Sequence, residues 1–172
     1  VDGPLRLLTL DDAPAMADLY AREAEFLAPW DPARDAEWAT TAVQRTTIAR
    51  QLSELRAGRS VPFGIVVDGE LVGRLNLSGI MLGPARTANL GYFVAQSHNG
   101  RGLATAAVRA AAEHAFRELR LHRLQAATLP ENAPSQRVLA KAGFERIGFA
   151  PSYLHINGAW RDHVLFQLVA PE

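Results

Sequence analysis

Apolar residues along this chain follow two rhythms. In some stretches they cluster in short runs bounded by turn residues; in others they recur every third or fourth position. The first rhythm predicts strands at 5–8, 62–67 and 70–77, the last two joined by Asp68-Gly69, a tight-hairpin signal. The second begins after Thr9, where Asp11 and Asp12 offer caps. It predicts a helix to about residue 24 with Ala15, Met16, Leu19 and Tyr20 as its buried stripe. Phe26-Leu27-Ala28-Pro29-Trp30-Asp31-Pro32 reads as a loop, because two close prolines break regular structure. It is apolar for a loop, which predicts a lid or a pocket wall. A second helix starts at Asp35 or Thr40 and reaches Leu55, stopped by Gly58.

Farther on, residues 78–86 read as a loop and 90–94 as a strand. A long Ala-rich helix runs from Gly102 to about Arg120 with Val108, Ala111, Ala112, Ala115, Phe116 and Leu119 inward. A fifth strand covers 123–129. A short helix follows, with Pro134 in its first turn and Gly143 at its C-cap. Residues 144–154 and 161–169, around Asn157-Gly158, read as a closing antiparallel hairpin. The order is β α α β β β α β α β β. It predicts an α+β domain with a mixed, mostly antiparallel sheet of seven strands and about four helices. The long helix favours a parallel neighbour across it.

Composition narrows this only a little. A chain of 172 residues with 48% apolar content is long enough for one well-buried core, so residues 1–172 are expected to form a single domain. There is no repeat, no low-complexity tract and no apolar run of membrane-spanning length. With no signal-peptide pattern and no cysteine, a cytoplasmic, disulfide-free protein without a membrane partner is expected. The missing thiol also removes one covalent acyl carrier. Net charge is zero, yet residues 1–40 hold nine acids against three Arg, and the remainder carries the balancing positive charge. Two solvated faces account for this; so does an acidic lip for a cationic acceptor opposite a basic side for phosphates.

The chemistry concentrates at residues 89–105. The strand carrying Tyr92 and Phe93 turns through Ser97-His98-Asn99-Gly100-Arg101-Gly102 into the long helix. Strand, glycine loop and helix N-terminus make an anion cradle: successive amides point into one concavity, with the helix dipole behind them. A nucleoside-triphosphate loop would need Lys-[Ser/Thr] after the last glycine, where Leu103-Ala104 stands. A dinucleotide fingerprint would need a third glycine where Thr105 stands. Asn99-Gly100-Arg101-Gly102-Leu103-Ala104 instead resembles the [Gln/Arg]-x-x-Gly-x-[Gly/Ala] pyrophosphate loop of the GNAT superfamily of acyl-CoA-dependent N-acetyltransferases, with Asn at the first position. Asn132 and Ser135, followed by Gly143-Phe144, resemble a second segment of that superfamily; by themselves they read as an N-cap and a helix starter. Loop 26–32 and the tail from Tyr153 to Val164 resemble the bacterial ribosomal-protein-alanine N-acetyltransferases over nearly the whole chain.

The resemblance implies a sheet splayed between strands four and five, with acetyl-CoA as co-substrate and no metal. It implies direct transfer to a primary amine, foremost the N-terminal α-amine of a protein such as a ribosomal protein. Phe93 and Val94 on a bulged fourth strand would hold pantetheine and polarise the thioester carbonyl. Asn99, Gly100, Arg101, Gly102, Leu103, Ala104, Thr105 and Asn132 would hold the rest of the cofactor. Two positions depart from the family: the fifth strand, Leu124 to Leu129, carries no Glu, and Leu139 stands where many members have Tyr. The resemblance then implies Ser135, which a related ribosomal-protein subgroup uses near the CoA sulfur, as the donor for the leaving thiolate. Asp162 could receive the acceptor ammonium or its proton; it reads equally as a strand residue paired with an Arg. Trp30 and Tyr92 are expected to contact substrate, while Trp38 and Trp160 read as core or pocket wall.

The five histidines show no metal spacing. Ser135, His163 and Asp162 do not form a triad, because strand neighbours point to opposite faces. Two other activities fit the same residues: acetylation of a small amine such as an antibiotic or polyamine, or acyl-CoA binding without turnover. No direct nucleic-acid contact is expected, and the chain is read as a monomer or homodimer.

Overall fold

The computed structural model describes residues 3–171. Seven strands form one sheet: β1 (Leu5–Leu7), β2 (Ser60–Val67), β3 (Glu70–Met81), β4 (Thr87–Val94), β5 (Arg123–Thr128), β6 (Glu145–Ile156) and β7 (Ala159–Val169), in the spatial order β1-β2-β3-β4-β5-β7-β6. Every pairing is antiparallel except β4 with β5, the pair joined by the long helix. The helices are α1 (Ala13–Arg22), α2 (Ala24–Leu27), α3 (Thr41–Arg56), α4 (Leu103–Arg117) and α5 (Ala133–Lys141). One is a single turn, so four have the length that the apolar spacing predicts. Among the described residues no helix is long and apolar enough to cross a membrane.

Two apolar clusters lie on the two faces of the sheet. Val61, Phe63, Ile65, Leu75, Leu77, Leu90, Val94, Leu124, Ala126, Val164 and Phe166 pack against α4 and α5. On the other face Leu8, Leu71 and Ala95, with Phe93 beside them, pack against α1 and α3 through Met16, Leu19, Tyr20 and Ile48. Strand alternation produces this division: Leu90, Tyr92 and Val94 go one way and Phe93 and Ala95 the other. Helices α1 and α3 lie over β2 and β3, whereas among the described residues no helix packs comparably on that face of β5, β7 and β6.

Several expected boundaries move, each for a local reason. The first helix is a 3-10 turn at Leu10–Asp12 followed by α1, with Pro14 in the opening turn of α1. Asp12 closes this junction: its carboxylate accepts from Thr9 N at 2.7 Å and from Arg6 at 2.6 and 2.8 Å. Burial pushes its pKa up, but the Arg6 and Thr9 bonds together hold it below the usual carboxylate range. The buried stripe takes Ala17 in place of Ala15. Phe26 and Leu27 belong to α2, because Pro29 restrains only the residues beside it; the Trp30 and Asp31 amides then bond back to Leu27 O. Thr40, not Asp35, caps α3, its hydroxyl accepting from Val43 N. Strand β3 runs on to Met81 through part of the expected loop, meeting Thr87 after an irregularity. Trp160 is 65% exposed on β7, so it is neither core nor pocket wall.

Candidate active site

The sheet opens between β4 and β5. The two pair only through Thr87–Arg123, Ala88–Leu124 and Asn89–Gln125, and beyond Asn89 they part. The splay therefore lies where the resemblance puts it. A cleft of about 600 Å³ follows the gap, walled by β4, the loop after it, the start of α4, the end of β5 and α5.

At one end lies the cradle. Gly100 and Gly102 both have φ +76°, the left-handed region that disfavours side chains, and open space stands where each Cβ would be. Gly102 is the N-cap of α4, so the first free amides of a long helix face this end of the cleft. Asn99, Gly100, Gly102, Leu103, Ala104 and Thr105 line it, whereas Arg101 is exposed and outside the lining. Glu23 anchors the loop, accepting from Gln96 N at 2.9 Å. Arg137 and Lys141 also line the cleft, one turn apart on α5. Apolar periodicity gives no reason to single them out; only the docking of α5 beside the loop brings these cations there.

Midway, the fourth strand differs from expectation. Its register with β3 is unbroken from Ser78–Asn89 to Gly73–Val94, so this stretch has no bulge. Ala95 N bonds to Val72 O, and regular alternation then spends the Phe93 amide on β3. The amides of Tyr92 and Val94 face the gap instead. Val94 is where a carbonyl-polarising donor is expected, and Tyr92 rather than Phe93 is its companion; Phe93 contributes its ring to the wall.

Tyr92 also reaches across the gap. Its hydroxyl lies 2.8 Å from Ser135 Oγ and 3.3 Å from Ser135 O. Burial pushes the phenol up to about 12, with the serine bond opposing, so it keeps its proton throughout the physiological range. When it donates to Oγ, the serine hydrogen is left for a group in the cleft. Asn132 caps α5 through Ser135 N at 3.1 Å, fixing that serine on the first turn, and lines the cleft as well.

On the helix-poor face stands Asp31, and a second cleft of about 370 Å³ begins there. It shares Leu27 and Asp31 with the first and is walled by Tyr20, Arg34, Trp38 and, from the tip of the β6–β7 hairpin, Asn157. Burial holds the Asp31 carboxyl above the usual aspartate range, with Arg34 at 3.7 Å and Arg74 opposing. Trp30 lines the first cleft as expected. Asp162 does not: it is exposed, and its carboxylate accepts from Ser152 N at 2.8 Å, pinning the irregular stretch of β6 between Ala150 and Leu154. His163 beside it is buried and lines the cleft. Sequence reasoning missed Asp31, Arg137, Lys141 and His163.

These features fit a long, anionic, thiol-ended co-substrate. The cradle and cations suit phosphates, the apolar channel suits a slender arm, and the gap-facing amides and the Tyr92–Ser135 pair offer hydrogen-bond donors along it. Comparison with known proteins bears on this directly. The family described as an acetyltransferase (GNAT) domain matches residues 4–145. The [ribosomal protein uS5]-alanine N-acetyltransferase of Escherichia coli is 35% identical over 170 residues, spanning 98% of this chain and 88% of that protein. Mycobacterium smegmatis RimJ, solved in complex with CoA-disulfide, superposes with a TM-score of 0.93 at 38% identity, covering 96% of this chain and 81% of that one. The ribosomal-protein-S5-alanine acetyltransferase of Vibrio fischeri gives a TM-score of 0.91 at 30% identity, covering 96% and 91%. With its splayed sheet and glycine cradle, this chain belongs to the GNAT family of acetyltransferases.

Proposed function

We propose that this enzyme transfers the acetyl group of acetyl-CoA directly to the N-terminal α-amine of a protein, with a ribosomal protein as the foremost acceptor. The observation that carries this reading is the junction at Asp31, where the cleft along the splay meets a second one suited to a chain entering from outside. Both clefts open to solvent, which favours a peptide terminus over an enclosed small amine. Asp31 offers a carboxylate to an incoming ammonium, and Trp30 walls the approach.

Chemically, the α-amine is a favourable nucleophile. With a pKa of about 8 a useful fraction is neutral near pH 7, unlike a lysine at about 10.4. The Tyr92 and Val94 amides would polarise the thioester carbonyl, a fixed electrostatic contribution. Ser135, released by Tyr92, would donate to the leaving thiolate. The cradle with Arg137 and Lys141 would hold the phosphates, so that attack geometry is set by binding far from the reacting carbon. The names of the E. coli and V. fischeri relatives as alanine acetyltransferases support an Ala-starting acceptor.

The test is thiol release from acetyl-CoA with peptides starting in Ala or Ser, beside polyamines and aminoglycosides. Turnover on the peptides supports the reading. Turnover confined to small amines, or tight acetyl-CoA binding without turnover, overturns it.

A further inference from the structure

We propose that His163 takes the proton from the acceptor amine, acting through Nε2. The inference rests on amine acetylation at this site and concerns a step left without a partner once Asp162 lies outside the cleft: the nitrogen must lose a proton as it becomes an amide.

Three observations place the imidazole for that step. First, its tautomer is set by a neighbour. Nδ1 lies 3.0 Å from Arg161 O, and a carbonyl oxygen only accepts, so Nδ1 carries the hydrogen and Nε2 the lone pair. Second, that lone pair is free and reachable. Among the described residues Nε2 has no hydrogen-bond partner, yet it is not among the sealed, unpaired polar atoms; the residue is 3% exposed and lines the cleft.

Third, the ring is on the side of the sheet from which an amine would come. Val164 pairs with Thr128 and belongs to the cluster under α4 and α5, so its neighbour His163 projects to the opposite face. That is the face of Phe93, loop 26–32 and Asp31. Ser135 and Tyr92 stand on the other side of the gap, on the α5 side. Proton acceptor and thiolate donor thus flank the splay from opposite faces, so one group need not do both tasks. The irregular stretch of β6 secures the arrangement: Asp162 pins Ser152, and the following Tyr153 packs its ring 5.7 Å from the imidazole. Other titratable side chains sharing the cleft are Asp31, Tyr92, His98, Arg137 and Lys141.

The neutral amine's lone pair forms the N–C bond, and the carbonyl π pair moves onto oxygen, facing the Tyr92 and Val94 amides. An N–H proton passes to Nε2. The oxyanion's pair then re-forms the C=O bond as the C–S bond breaks with its pair leaving on sulfur, which accepts a hydrogen bond from Ser135 Oγ and takes its proton from water. The imidazolium returns its proton to water.

The first test is His163→Asn, whose side-chain amide reaches the Nδ1 position, preserves the bond to Arg161 O and lacks a base. On any amine that the wild type acetylates, peptide or small, kcat should fall about a hundredfold. The KM for acetyl-CoA should stay within about twofold, and the acid-side fall of kcat with pH should disappear. A kcat within about threefold of wild type with an unchanged pH profile overturns the proposal. A second measurement needs no acceptor: long-range 1H–15N spectra of the wild type, with the His163 ring identified by its loss in the Asn variant. A neutral, Nδ1-protonated ring near pH 7.5 supports the assignment; an Nε2-protonated or charged ring overturns it. A wild type that acetylates small amines only would refute the peptide acceptor and leave this test of His163 intact.

Discussion

The two sides of the splay are built differently. The cofactor side comes from one nearly continuous stretch, β4 through α4, with α5 laid against it. Its chemistry is mostly backbone: amides of the cradle, the helix N-terminus and β4. The acceptor side is assembled from pieces far apart in the chain, namely loop 26–32, the Trp38 segment and the β6–β7 hairpin. The chemistry we propose for it is carried by side chains, Asp31 and His163, held by packing and single hydrogen bonds. A backbone-built side tolerates side-chain change except at its glycines and leaves a local motif in sequence. A side built from distant side chains leaves no such motif, and it is where acceptor preference can diverge within one fold.

Substitutions test this division, and the largest effect is expected at the seam. Ser135→Ala should cut kcat about a hundredfold with little change in either KM, and Tyr92→Phe about tenfold. Steady-state kinetics on an Ala-starting peptide read both. If Tyr92→Phe equals wild type, the phenol does not orient the serine.

Next comes the cradle. Gly102→Val forces a β-branched side chain into φ +76° at the mouth of α4 and should raise the KM for acetyl-CoA by about tenfold or more, leaving acceptor KM nearly unchanged. Asp31→Asn should do the reverse, raising acceptor KM about tenfold with acetyl-CoA unaffected. Its pH dependence has a definite sign. Because burial holds the folded-state carboxyl above the usual aspartate value, Asp31 loses its charge earlier than an ordinary aspartate as pH falls, and acceptor KM should climb from that point down. The same shift makes ionised Asp31 a small cost to folding, felt as pH rises through the window above the unfolded value. Asp31→Asn should therefore unfold slightly later than wild type near pH 7, read by thermal melts. Function lost and stability gained would mark it as a binding carboxylate.

Smallest is Asp162→Ala. Loss of one exposed carboxylate–amide bond should cost about 0.5–1 kcal/mol in denaturant titration and leave kcat within about twofold, provided Tyr153 stays over His163. A collapse of kcat at unchanged stability would return Asp162 to the chemistry.

What was legible in sequence follows the same division. The order of strands and helices along the chain, the hairpin turns at Asp68-Gly69 and Asn157-Gly158, and the glycine loop before α4 were readable, since each is a local decision of periodicity or turn chemistry. The helical state of Phe26 and Leu27 was obscured because proline acts on its own turn and not on the one before. The amides facing the gap could not be assigned without the β3–β4 register, which decides whether Phe93 or Tyr92 is free. Asp162 and His163 are strand neighbours on opposite faces, and sequence does not say which of the two faces the cleft. Asp31 lies in loop 26–32 with nothing in its neighbouring residues to set it apart. Its value comes from Arg34, Arg74 and a second cleft that only the fold brings together.

The most direct measurement is a crystal structure with CoA joined through its acetyl carbon to the amine of an Ala-starting peptide. The account predicts the sulfur beside Ser135, the linking carbonyl on the Tyr92 and Val94 amides, and the peptide leaving past Asp31 beneath loop 26–32, its nitrogen within reach of His163 Nε2. A peptide leaving on the α5 side, or a sulfur remote from Ser135, would contradict it.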